Sequence, residues 1–203
     1  MRRILVRAAL LLAAVLLMLL LCFGYLRSRV DPILSDLSRS SVSSAASRLI
    51  TQAVSRKISR GDMSYEKIIC FEKDHEGRIT ALKTNMQQVN LLKTDILNTI
   101  NGEIRNLGTD EIGIPLGNFL LPELFSGKGP RIPVRILTIR RSGADFISHF
   151  TQAGINQTLH RLTMRVQVEG ELLVLGKILN FSTSGTVLVA ETVIVGQVPN
   201  TFS

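Results

Sequence analysis

Nineteen consecutive residues, Ala8 to Leu26, carry no charge and are bracketed by Arg2, Arg3 and Arg7 before and by Arg27 and Arg29 after. In hydrocarbon every backbone N–H and C=O must find its partner within the segment, so such a stretch has one spanning solution, a helix. About 20 apolar residues are what a bilayer requires. A cleaved signal peptide would need a shorter apolar region and small residues at the cut; here Leu19, Leu20 and Leu21 precede Cys22, and a lipoprotein cut before Cys22 would want a small residue where Leu21 stands. Residues 1–29 therefore read as an uncleaved signal anchor, a single-pass transmembrane helix with membrane lipid as its partner. Positive charge on both flanks leaves a weak orientation signal, and the short N-terminus is expected in the cytoplasm with the body of the chain extracytoplasmic.

The same arginines explain the overall charge. The formal net charge is +8, but five of the 24 basic residues flank the apolar stretch, and the rest of the chain carries 19 basic against 16 acidic residues. That balance, with two tyrosines and no tryptophan, is an ordinary solvated surface and gives no footprint for DNA or RNA. Anionic lipid is the better partner for the flanking arginines. The two cysteines, Cys22 in the apolar stretch and Cys70 in the body, cannot pair within one folded chain, so there is no disulfide framework and no cysteine metal site. Cys70 reads as a small core residue on a strand.

Beyond residue 29 the pattern divides at about residue 108. Asp31-Pro32 has the form of a helix cap and first turn, and apolar residues at Ile33, Leu37, Val42, Ala45, Leu49, Ala53 and Ile58 predict a helix ending near Gly61. "YEKIICFEKDHEGRITALKTN" predicts a hairpin turning at Asp74 to Gly77, with Ile68, Cys70, Ile79 and Ala81 as interior candidates. Val89, Leu92, Ile96, Ile100, Ile104 and Leu107 then mark a second helix that stops at Gly108. Glycines and prolines punctuate residues 108–133 as loops and short strands. From there 132–141, 162–175 and 185–199 alternate apolar with polar, predicting three or four antiparallel strands with one wet face. The fold class is α+β: an N-terminal transmembrane helix (1–29), a helix–hairpin–helix unit (30–108) and a strand-rich unit (109–203), the last two open to forming a single domain.

"INQTLHR" gathers Asn156, Gln157, Thr158, His160 and Arg161, but no nucleophile signature accompanies the histidine. His149 and His160, eleven residues apart, have no recognised ligand spacing and are expected to face solvent. "SGKGP" at 126–130 lacks the spacing of a phosphate loop and reads as a turn. Asp110-Glu111 and the pair Glu169 and Glu171 are acids placed to face water. No catalytic, cofactor-binding or metal-ligating residue is assigned, and no cofactor. Gly154 and Asn156 are expected in a turn that launches a strand near Leu162, with Leu162, Met164, Val166 and Val168 inward, Thr163, Arg165, Gln167 and Glu169 outward, and His160 dispensable for stability.

The order and spacing of several blocks resemble the YunB family of sporulation proteins from endospore-forming bacteria. They are the N-terminal span with "RVDPILSDLSRSSVSSAASRLITQAV", then "MQQVNLLKTDILNTI", "IGIPLGNFLLPELFSGKGPRIPVRI", "TQAGINQTLHRL" and "AETVIVGQVPNTF". The resemblance implies a membrane-anchored protein needed for efficient spore formation, made in the mother-cell compartment, without an assigned enzymatic activity and with no catalytic residues to carry over. Its signature positions here, Gly113, Pro115, Gly117, Pro133, Gly154, Ile155, Asn156, Gly196 and Pro199, are turn-formers and strand neighbours. The expected function is thus structural, an assembly role at the mother-cell-derived membrane around the forespore through contacts with other sporulation proteins. Two other classes stand as alternatives: a module binding lipid or a small ligand in an apolar groove, and an envelope enzyme, which would need two carboxylates roughly 5 to 10 Å apart across a cleft.

Overall fold

The structure, a computed structural model, describes residues 2–120 and 122–196, with side chains described for 16–21, 24, 30–118 and 124–196. The elements in chain order are α1 (Arg2–Ser59), α2 (Tyr65–Ile68), β1 (Ile69–Lys73), β2 (Ile79–Thr84), α3 (Met86–Arg105), α4 (Thr109–Ile112), β3 (Ile114–Pro115), α5 (Gly117–Leu120), α6 (Pro122–Phe125), β4 (Arg131–Ile132), β5 (Val134–Gly154), β6 (Gln157–Val174) and β7 (Lys177–Val195). All strand pairing is antiparallel: β1 with β2, β3 with β4, and the meander β5-β6-β7. The α+β class stands.

The expected helix start at Asp31-Pro32 does not occur, because α1 runs uninterrupted through Pro32. Proline removes one backbone donor and costs about 3 kcal/mol in a helix interior. Two local features support the turn: Ser35 Oγ donates to the Asp31 carbonyl at 2.8 Å, and the Asp31 carboxylate, instead of capping, accepts from Lys177 Nζ at 2.5 Å. The charge-free stretch falls largely on residues whose side chains lie outside the description. Among the described residues, no helix is long and apolar enough to cross a membrane.

The buried stripe of α1 is also rotated from the expected one. Leu34, Ser38, Val42, Ala46, Ile50 and Val54, four apart, face the core with Ala45 and Ala53, whereas Ile33 is exposed. Leu37, Leu49 and Ile58 only flank the core. The many alanines and serines leave more than one stripe consistent with helical spacing. Ser38 is tolerated inside because its Oγ donates to the Leu34 carbonyl at 2.7 Å.

In the small hairpin the turn is where it was expected. Asp74 Oδ1 accepts from Glu76 N and Arg78 N, both at 2.9 Å, and Gly77 takes φ +79°. The interior face is not: Ile68 is buried, but Cys70, Ile79 and Ala81 are exposed, while Ile69 is buried. Ile68 closes the one-turn helix α2 rather than opening a strand, and a shift of one residue turns every strand side chain to the other face. Helix α3 follows expectation, with Asn85 as cap accepting from Gln88 N and Val89, Leu92, Ile96, Ile100 and Ile104 buried.

The three long strands hold 21, 18 and 19 residues, well beyond the alternating segments, because each continues through polar positions that pair by backbone alone. Central β6 alternates as predicted: Leu162, Met164, Val166 and Val168 are at most 1% exposed, while Arg165, Gln167 and Glu169 are exposed. Helix α1 backs β7, where Ser43 Oγ donates to the Ser182 carbonyl and Thr183 Oγ1 donates to the Ser43 carbonyl, each at 3.0 Å. Helix α3 backs β5, with Asn101 Nδ2 donating to Ser142 Oγ at 2.9 Å and Lys93 paired with Asp145. Arg56 with Glu103 and Lys57 with Asp95 join the two helices. The helix–strand approach is close: a Cβ on Gly185 would stand 2.8 Å from Ile50 Cγ2. One apolar core, from Leu34 to Val189, fills the space between the helices and this face of the sheet.

Candidate functional site: a buried histidine at the far end of the sheet

The polar cluster 156–161 separates once strand geometry acts on it. Asn156 lies in the β5–β6 turn with φ +56°, a conformation asparagine tolerates, and its carbonyl accepts from Gly196 N at 2.7 Å. Gln157 opens β6, five residues before the expected strand start. Arg161 points to the open face, where its Nε donates to Glu191 Oε2 at 2.7 Å. His160 goes the other way.

Contrary to the expectation of a solvent-facing ring, His160 is only 1% exposed. It stands on the same rung as Phe150 and Thr192, on the core side. Phe150 stacks on the imidazole (centroids 4.3 Å apart, planes at 10°), and Tyr65 meets it edge-on at 5.5 Å. The Tyr65 hydroxyl lies 2.6 Å from His160 Nδ1, while Nε2 is buried with no hydrogen-bond partner among the described residues. Burial pushes the His160 pKa below its ordinary 6.5 and that of Tyr65 above 10.0. The ring is therefore neutral at pH 7. Tyr65 opens α2, directly after α1, so this contact ties the helix–hairpin segment to the far end of the sheet.

As chemistry, the arrangement is inward and closed. Its one engaged nitrogen faces a tyrosine hydroxyl with a raised pKa, and among the described residues no carboxylate orients the ring. His149 is one rung position away, opposite Arg161, so its side chain leaves the other face of the sheet and the two histidines cannot share a metal. Among the described residues no three His, Cys, Asp or Glu side chains are grouped to hold a metal ion.

Of the acids singled out in the sequence, Glu171 pairs with Arg140 at 3.4 Å and Glu111 Oε2 accepts from Gly108 N at 3.0 Å, while Asp110, whose backbone carbonyl accepts from Arg131, and Glu169 are exposed. "SGKGP" is a turn: Gly127 N donates to Asn118 Oδ1 at 2.8 Å and the Lys128 carbonyl accepts from Gly117 N at 3.0 Å. A Cβ on Gly117 would stand 2.0 Å from the Phe125 carbonyl oxygen, so only glycine fits there. Tyr65 and Phe150 were missed in the sequence. The signal for His160 was present, since it is in phase with Leu162, Met164, Val166 and Val168.

These features define an α+β protein in which two helices back one face of a long antiparallel meander, with a long N-terminal helix and candidate residues that serve turns, ion pairs and an internal joint. Residues 111–201 match the family model described as sporulation protein YunB. Sporulation protein YunB of Bacillus subtilis (strain 168) is 22% identical over 184 residues, an alignment covering 86% of this chain and 72% of that protein. The strand-rich part of the chain, residues 111–201, thus has the sequence character of the YunB family of sporulation proteins, and the pairwise similarity extends over most of the chain. The family match takes in the β3–β4 lobe and all three long strands, and the pairwise match reaches beyond it. No solved structure matches.

Proposed function

We propose that this protein acts in spore formation as a membrane-anchored, non-catalytic assembly protein that works through contacts with other sporulation proteins. The sporulation role rests on the family. The anchor rests on one observation: the helix that backs the sheet continues N-terminally into Leu16, Leu17, Met18, Leu19, Leu20 and Leu21, six consecutive large apolar side chains that are 59–73% exposed. A helix apolar all round needs a core or a bilayer to hold it, and nothing in the described fold covers this one. On this reading the chain is a single-pass protein with an extracytoplasmic domain, placed in the mother-cell-derived membrane around the forespore.

The clefts argue against a lipid carrier. The one of about 700 Å³ between α1 and α3 sets Leu91 and Leu92 among Lys57, Asp62, Lys67 and Asp95, a mixed wall that lacks the continuous apolar surface an acyl chain needs. A tagged protein should be found at the membranes around the developing spore, and deletion should block sporulation while vegetative growth continues. A soluble cytoplasmic distribution would sink the anchor. Loss of sporulation in a folded, normally abundant Glu169→Gln/Glu171→Gln protein would sink the non-catalytic reading.

A further inference from the structure

We propose that the β6–β7 turn is a second membrane contact, resting in the headgroup region and uppermost acyl chains of the bilayer that holds the anchor. This inference depends on the anchor reading above. The turn is pinned to α1 by the Asp31–Lys177 ion pair at 2.5 Å. Asp31 is five residues beyond Leu26, where the charge-free stretch ends. At 1.5 Å per residue the distance along the helix is about 7.5 Å. A bilayer of 40–45 Å with a 30 Å hydrocarbon core has interfacial layers of roughly 5–7.5 Å. The pinned pair therefore stands at the outer edge of the headgroup layer, and any tilt of the helix brings it closer.

Its side chains suit that place. Leu175 is 64% exposed and Ile178 62%. Leu175 also takes φ +45°, followed by Gly176 at +78°. Two-residue hairpin turns of this kind favour asparagine, aspartate or glycine, because a branched side chain is strained there. A leucine so placed carries a backbone cost and a solvation cost, and the fold recovers neither. An apolar medium outside the protein recovers the second. Lys177 is engaged by Asp31, but Arg27 and Arg29, just N-terminal to Asp31 in the sequence, supply the positive charge that anionic lipid attracts.

The chain contains no tryptophan, so one substitution makes one reporter. Full-length Leu175→Trp and Ile178→Trp proteins would be reconstituted in vesicles of phosphatidylethanolamine and phosphatidylglycerol, with and without lipids brominated high on the acyl chain. Ile155→Trp, at the opposite end of an 18-residue strand and roughly 55–60 Å away, is the control. Expected is a blue-shifted emission at 175 and 178 that brominated lipid largely quenches, while position 155 stays unquenched. Unquenched tryptophan at 175 in protein that floats with the vesicles overturns the contact, as does a blue shift without quenching, which would mean a protein partner. Equal quenching at 155 also overturns it, since the domain would then lie flat on the surface. Protein that does not float with the vesicles overturns the anchor reading, and the contact with it.

Discussion

The two halves of α1 are built from similar apolar residues and meet opposite fates. Between Leu34 and Val54 the residues Leu34, Val42, Ile50 and Val54 fall on one stripe and are at most 3% exposed, Leu37 and Leu49 flank it half-buried, and serines and arginines fill much of the remaining circumference. Between Leu16 and Leu21 every residue is apolar and every one is at least 59% exposed. A single helix thus carries two kinds of hydrophobicity. The amphipathic half has a direction, and the sheet satisfies it; the other has none, and only a surrounding medium can.

The largest expected effect tests the buried side. Val166→Asp, on β6 within the core, places a charge among apolar side chains and should unfold the domain or cost several kcal/mol in urea denaturation of the detergent-solubilised protein. Met18→Asp in the exposed half should leave that same transition in place. A matching loss at both positions would erase the distinction.

Ile50→Ala sharpens the comparison without a charge. The side chain is fully buried against Gly185, so about 2–5 kcal/mol should be lost, whereas Leu20→Ala should change domain stability by no more than about 0.5 kcal/mol.

His160→Ala comes next, and here the structure reverses the expectation of a dispensable residue. Removing a buried ring that meets Tyr65 and stacks on Phe150 should cost roughly 1–3 kcal/mol. Acid should act through the same group. Burial holds the folded histidine below 6.5, so as pH falls through that value the unfolded chain binds a proton that the folded one refuses. Stability should be full above 6.5 and decline below it until the folded histidine itself titrates, and the decline in melting temperature across that window should flatten in His160→Gln. Asp74, held below 3.8 chiefly by the Arg78 side chain, contributes in the same direction but only in a more acidic window.

The smallest effects belong to the junction of the two halves. Lys177→Ala breaks a partly exposed ion pair and should cost at most about 1 kcal/mol. Leu175→Gly should stabilise the detergent-solubilised domain by about 1 kcal/mol, because glycine accepts the left-handed turn without strain.

Where one rule of spacing governed a segment, the sequence was sufficient. The α3 stripe, the Asp74–Gly77 turn and the inward face of β6 are local patterns with one solution each. Cys70 misled because a one-turn helix displaced the strand register by one residue. The continuity of α1 through Pro32 was hidden for another reason: Asp-Pro is a sound helix start, and only an ion pair to Lys177, 146 residues away, gives Asp31 a different task. At the candidate site the histidine was visible and its phase with Leu162 was readable, but its partners, Tyr65 and Phe150, come from other strands and helices.

The sequence by itself determined the α+β class, the helix and strand periods, the lack of a reactive motif and the charge-free N-terminal stretch, because each depends on residues within a few positions of one another. The tertiary structure alone decided which stripe of α1 faces inward, how far the long strands run, and that His160 is enclosed. Those outcomes depend on backbone pairing and packing between segments some 95 to 146 residues apart, such as Tyr65 with His160 and Asp31 with Lys177. Hydrophobic burial has no direction of its own, and the partner that covers a face settles which of several permissible faces is buried.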